Sequence, residues 1–175
     1  VGGTAREIIF TSGATEARNL AVKGLARANR RLGPDLVATT IEDPAVRAAL
    51  RTLAAREEAA VIDVGVDGEG FVAPSDLEAA VTEATALVCI PHGQGDIGTV
   101  QDLAALVAAV RRTGSEARIH IDAGSSAGLV PIDAVDLDVD AVSIGGPPLG
   151  APAWSGALWV REGARLLPMI EGGIE

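Results

Sequence analysis

The segment TSGATE (11–16) closes an apolar run and opens a helical pattern, with Gly13 at the turn between them. That order aims the free backbone N–H groups of Ala14 and Thr15, with the Thr15 hydroxyl beside them, out of a helix N-terminus, where a phosphate is favoured. The same order also describes an ordinary helix cap. In IHIDAGSSAG (119–128), Asp122 ends an apolar run. A carboxylate there needs a cation or hydrogen-bond donors to offset its desolvation, so it reads either as a ligand-binding group or as a structural cap. PHGQGDIGT (91–99) sets His92, Gln94 and Asp96 in a glycine-rich loop able to touch a ligand. His92 and His120 have no cysteine or carboxylate at metal-ligand spacing, so no metal site is expected. A fourth stretch, GGPPLGAPAW (145–154), follows another apolar run and carries no reactive side chain at all.

The elements that must position these segments follow from the hydrophobic pattern. Seven short apolar runs, at 7–10, 36–40, 59–64, 86–91, 118–122, 141–144 and 156–160, have the length of strands buried on both faces. Between them, Ala17, Leu20, Ala21, Gly24, Leu25 and Ala28 recur at helical spacing, as do Leu103, Leu106, Val107 and Val110. Pro44 suits the first position of a third helix, and Ser75 with Glu78 predicts a capping box for a fourth. GVDGEGF (65–71) is turn chemistry. Strands alternating with helices predict a mostly parallel sheet covered on both faces. The last two runs are only eleven residues apart with no helical pattern between them, which predicts an antiparallel or long-loop return. Ligands of such sheets bind beyond the carboxyl ends of the strands, where all four segments fall.

Composition bounds the rest. The 175 residues predict one domain, 1–175, with no repeat or linker. Hydrophobic residues make up 48% of the chain but aromatics only 2%, so Ala, Val, Leu and Ile must build the core. A net charge of −10 argues against nucleic acid and anionic membranes as partners. The lone Cys89 lies in the apolar run ALVCIP and reads as inert core. No apolar run approaches ~20 residues and no signal peptide is visible, which points to the cytoplasm. The chain begins without Met, almost directly in a strand, and so reads as a piece of something longer.

No one segment is specific, but their order is. EIIFTSGATEARNLAVKG, DIGTVQDL, HIDAGSSAGLVPIDAVDLDVDAVSI, GALWVREG and EGGIE together resemble the large domain of cysteine desulfurases, in the class V aminotransferase group of fold-type I pyridoxal-phosphate (PLP) enzymes. The resemblance implies a three-layer α/β/α domain with a mostly parallel seven-stranded sheet and one antiparallel strand. It implies an N-terminal arm before Val1, and after Glu175 a small domain bearing the sulfur-accepting cysteine, to which Cys89 does not correspond.

The resemblance also assigns positions to a cofactor. Ala14 and Thr15 would hold the PLP phosphate, and Asp122 would pair with the ring nitrogen. Other positions depart from the family. Its ring-stacking His falls at Asp43, whose carboxylate is expected to repel that of Asp122. Ser125 stands for a Gln near the ring hydroxyl, Gln94 and Gly95 for paired Asn, Asp96 for a Glu, and Gly145 for a phosphate-binding Ser. The family's His-Lys pair, whose Lys forms the Schiff base, falls at Pro147 and Pro148. The chain has one lysine, Lys23, expected to be solvated and out of reach of a ring held at Asp122. Schiff-base catalysis needs an amine at the ring, so no catalytic residue is assigned and any PLP would be held non-covalently. The expectation is a pseudoenzyme with a binding, dimerisation or assembly role, as a homodimer or beside an intact related subunit. Two alternatives stay open: a PLP enzyme lacking a covalent anchor or completed by another subunit, and a module for another small phosphate ligand.

Overall fold

The computed structural model describes residues 1–172. The apolar runs become the strands of one sheet: β1 (Ile8–Thr11), β2 (Asp35–Thr39), β3 (Ala60–Val64), β4 (Thr85–Pro91), β5 (Arg118–Ala123), β6 (Ala141–Gly145) and β7 (Gly156–Val160). The helical patterns become α1 (Ala14–Ala28), α2 (Pro44–Glu57), α3 (Pro74–Ala80) and α4 (Leu103–Arg112). Strand order is β1-β7-β6-β5-β4-β2-β3. Strands β2 to β6 pair in parallel, whereas β7 runs antiparallel to both its neighbours, β6 and β1. The interval 145–155 is thus an antiparallel return, and the mostly parallel seven-stranded sheet with one antiparallel strand is the fold that forms. The last three residues of the EGGIE motif, 173–175, lie outside the described residues.

Each face of the sheet carries a helical layer. Ala17, Ala21, Val22 and Leu25 of α1 pack with Val46, Leu50 and Leu53 of α2 against Leu36, Leu87 and Cys89. Leu77 of α3 and Leu106 and Val110 of α4 pack on Val37, Val88, Ile119, Ile121 and Trp159 across the other face. Trp159 is the one fully buried aromatic; Phe10, Phe71 and Trp154 are exposed. Burial pushes the Cys89 thiol well above its ordinary pKa, which keeps it protonated and unreactive.

Two local expectations are corrected. β1 and β3 are the sheet's edges and partly exposed, not buried on both faces, because sheet order rather than composition decides which strand has neighbours. The Ser75–Glu78 capping box does not form: α3 starts at Pro74 with Ala73 as its cap, Ser75 donates to Asp76 at 3.3 Å, and Glu78 accepts from Arg112 at 2.7 Å. Proline's fixed φ at the first helical position begins the helix one residue before the box could close. By contrast, Pro44 begins α2 as expected, with Asp43 as a cap accepting from the Ala45 N–H at 2.8 Å.

The adjacent strands β2 and β4 send their chains off in opposite directions along the sheet, a topological switch point. Asp43 follows β2 and the 92–99 loop follows β4, so both lie at the carboxyl edge where sites form. No described helix is long and apolar enough to cross a membrane.

Candidate functional site

A cleft of about 980 Å³ opens at the carboxyl edge, between the start of α1 and the turns after β5 and β6. Ala14, Thr15, Ser125, Pro147 and Pro148, all named from the sequence, line it together. Gln94, Asp43 and Asp122 do not.

One end of the cleft is built by the turn from β1 into α1. Gly13 caps the helix at φ 154°, ψ 175°, a conformation that only glycine adopts without strain. Glu16 folds back over this turn, accepting from the Ser12 N–H at 2.7 Å and the Ser12 hydroxyl at 2.6 Å. These bonds lower the Glu16 pKa, so its charge sits at the positive end of the helix dipole. The Thr15 side chain is exposed beside the cleft, and the first N–H groups of α1 have no partner within the helix. This end retains what a phosphate needs.

The other end is closed by a residue that the sequence reading passed over. Arg18 is one turn into α1, and only 8% of its side chain is exposed. Its Nε donates to Asp122 Oδ2 at 2.8 Å, and its guanidinium reaches Asp43 Oδ2 at 3.0 Å. Asp122 Oδ1 accepts from the Gly124 N–H at 2.9 Å, so both oxygens of this 4%-exposed carboxylate are engaged within the protein. Asp43 is equally committed, one oxygen to its helix cap and the other to Arg18. The expected repulsion between Asp43 and Asp122 is therefore corrected: a shared cation lies between them. Gly124 makes this possible, since a Cβ there would overlap the guanidinium and lie 3.0 Å from Asp122 Oδ1. Glu42, buried below, accepts from the Thr39 hydroxyl at 3.3 Å, and its second oxygen has no partner. Burial, and then the nearby Asp122 charge, raise its pKa well above the ordinary value, so it stays protonated.

The remaining candidates fall around these two ends. Gln94 lies outside the cleft lining, and its Oε1 accepts from the Asp96 and Ile97 N–H groups at 2.5 and 3.2 Å, which ties its own loop. His92 is buried and pairs with the Ser126 hydroxyl at 2.9 Å; burial lowers its pKa and keeps it neutral. Pro147 and Pro148 form a short 3₁₀ turn, Pro147–Leu149, closed by the Leu149 N–H to Gly146 O at 2.9 Å and the Gly150 N–H to Pro147 O at 2.9 Å. No amine arises from this wall. Gly145 is fixed as glycine because a Cβ would run into the Gly124 carbonyl. Lys23 corrects its expectation: it is partly buried, lines the cleft, and donates to Asn19 Oδ1 at 2.7 Å. Arg18 was detectable, since it stands on the face of α1 defined by Ala17, Ala21 and Leu25, an unusual place for an unpaired guanidinium.

Tested against these residues, PLP fits one end and not the other. The Ala14–Thr15 turn offers donors for its phosphate. The ring end has no free carboxylate for a ring nitrogen and no lysine at Pro148.

Comparison with known proteins agrees with the fold. The family model described as aminotransferase class-V matches residues 1–174. The cysteine desulfurase IscS of Photorhabdus laumondii is 40% identical over 166 residues, covering 95% of this chain and 40% of that protein. IscS of Methanosarcina thermophila is 35% identical over 177 residues, covering 100% of this chain and 43% of that protein. Among solved structures, a NifS-like protein superposes with a TM-score of 0.91 at 31% identity, over 97% of this chain and 46% of that one. SspA in complex with cysteine gives 0.90 at 30% identity, over 98% and 49%. The chain spans less than half the length of these relatives.

Proposed function

The chain belongs to the aminotransferase class-V family, and from that premise we propose that it is a cysteine-desulfurase-like domain without Schiff-base catalysis, kept for binding or assembly. The observation that carries this reading is the Pro147–Pro148 wall, which presents no amine to the cleft. Arginine does not substitute, because a guanidinium stays protonated and is no nucleophile at neutral pH. The one lysine, Lys23, lines the cleft from α1 rather than from the Pro147–Pro148 wall, and its Nζ is held by Asn19 Oδ1 at 2.7 Å.

An assembly role is supported by apolar side chains around the cleft mouth: Trp154 is 90% exposed, Ile170 76%, and Phe10 on the edge strand 87%. Such side chains are costly to leave in water and suit pairing with a second copy or a related intact subunit. The lone, buried Cys89 suits a reducing compartment such as the cytoplasm.

Incubation with PLP, borohydride reduction and peptide mapping test the reading. The expected result is an unmodified chain and no sulfide released from cysteine. A pyridoxyl group recovered on Lys23, or turnover by the chain alone, overturns it. The open Ala14–Thr15 end favours a second reading, in which PLP or another phosphorylated small molecule binds without a covalent bond. A saturable absorbance change on titrating PLP, with nothing trapped by borohydride, would select it.

A further inference from the structure

We propose that Arg18 is a built-in cation that takes the place of a ligand's ring nitrogen at Asp122 and shuts pyridine-ring cofactors out of the cleft. The inference rests on the reading that this domain works without a Schiff base, and it adds the residue that enforces the exclusion.

Asp122 is buried and already neutralised. Asp122 has two oxygens; Arg18 Nε and the Gly124 N–H take one each, at 2.8 and 2.9 Å. Asp122 is 4% exposed and the Arg18 side chain 8%, so a protonated ring nitrogen gains access to this carboxylate only when the guanidinium moves aside. Displacement has nowhere to lead. Arg18 is also bound to Asp43, and moving it would leave a second, largely buried carboxylate without its cation. Charge-assisted hydrogen bonds in a dry site are the hardest to exchange for an incoming ligand. The fit is specific to this geometry as well. Gly124 leaves the space that the guanidinium fills, and any side chain there would collide with it. Asp43 then acts as a tether: it caps α2 with one oxygen and holds the guanidinium over Asp122 with the other. A cation, its two carboxylates and the glycine beside them thus form a complete set, in which both carboxylates are already neutralised by one guanidinium.

The test uses 4-deoxypyridoxine 5′-phosphate, which carries the ring nitrogen and phosphate but no aldehyde, so it cannot form a Schiff base. Its outcome is therefore separate from that of borohydride trapping. Benzyl phosphate, which lacks the nitrogen, serves as the control. Three forms of the 175-residue chain are compared by calorimetry and thermal shift: the wild type, Arg18→Asn, and Arg18→Asn with Asp43→Asn. The double variant removes one charge of each sign and keeps an efficient helix cap, which guards against misfolding. The expected result is that one or both variants bind deoxypyridoxine phosphate at least about tenfold more tightly than wild type, the factor that one displaced charge-assisted hydrogen bond accounts for. Benzyl phosphate should bind all forms alike. Wild type binding the pyridine ligand as tightly as folded variants overturns the proposal, as does an equal gain for benzyl phosphate. If neither variant folds, the wild-type Arg18 Nε–H resonance decides: its persistence at millimolar ligand supports the proposal, and its loss on saturable binding overturns it.

Discussion

At the Gly13–Thr15 end of the cleft the first N–H groups of α1 are left without a partner in the helix, whereas at the Asp122 end every charged group is turned onto another. The first end is made by local sequence: a glycine turn, a helix start and the Glu16 side chain reaching back four residues. The second is made by three segments that meet only in the fold, α1, the start of α2 and the end of β5. The lesson is that donors supplied by backbone persist wherever the turn persists, while a pocket made of side chains can be closed by a single new one.

Arg18→Ala breaks the comparison most severely. It leaves Asp122 and Asp43 without their cation in a site that is almost dry, and the expected loss is about 3–5 kcal/mol. Urea unfolding measures it, and a loss below that of an average surface change would mean that the guanidinium is not where its bonds put it. Next is Gly145→Ser, which restores a hydroxyl at the position where the family carries one. The new Cβ meets the Gly124 carbonyl, backbone against backbone, so a loss of about 1–3 kcal/mol is expected by the same measurement.

Glu42→Gln has a smaller and pH-dependent effect. The folded chain keeps Glu42 protonated by burial, and the unfolded chain releases that proton above its ordinary pKa of 4.5. Stability contributed by this group is therefore lost as pH rises past the unfolded value, because the unfolded state then binds fewer protons. Melting temperatures of wild type and Glu42→Gln should differ least near pH 4 and separate in the variant's favour by pH 8. A gap that widens toward acid would reverse the assignment. Thr15→Ala sharpens the contrast from the other side: the side chain is exposed and makes no recorded bond, so stability should change by less than about 0.5 kcal/mol.

Legibility follows the same division. The strands, the antiparallel return before β7 and the Gly13 turn are each specified by neighbours in sequence, and each was readable. Asp122 was readable as a carboxylate in need of a partner. Its partner was harder to name, because Arg18 lies 104 residues away and only its place on the apolar face of α1 sets it apart from the other arginines. The edge position of β3 was hidden for a related reason: Val61 and Ile62 fit a central strand equally well, and only the order of the sheet exposes them. Lys23 stands more than two turns into α1, which makes it look remote in the sequence, whereas a long side chain lying along its own helix toward Asn19 faces the cleft.

The pairing of β1 with β7 alone has a consequence for biosynthesis. Among the described strands, the first in sequence must wait for the last, since no other pairs with it. Through that interval its apolar residues stand as an unsatisfied edge, open to chaperones or to another nascent chain. The turn that follows it is local, but it gains its place beside the rest of the cleft only once β7 has been made.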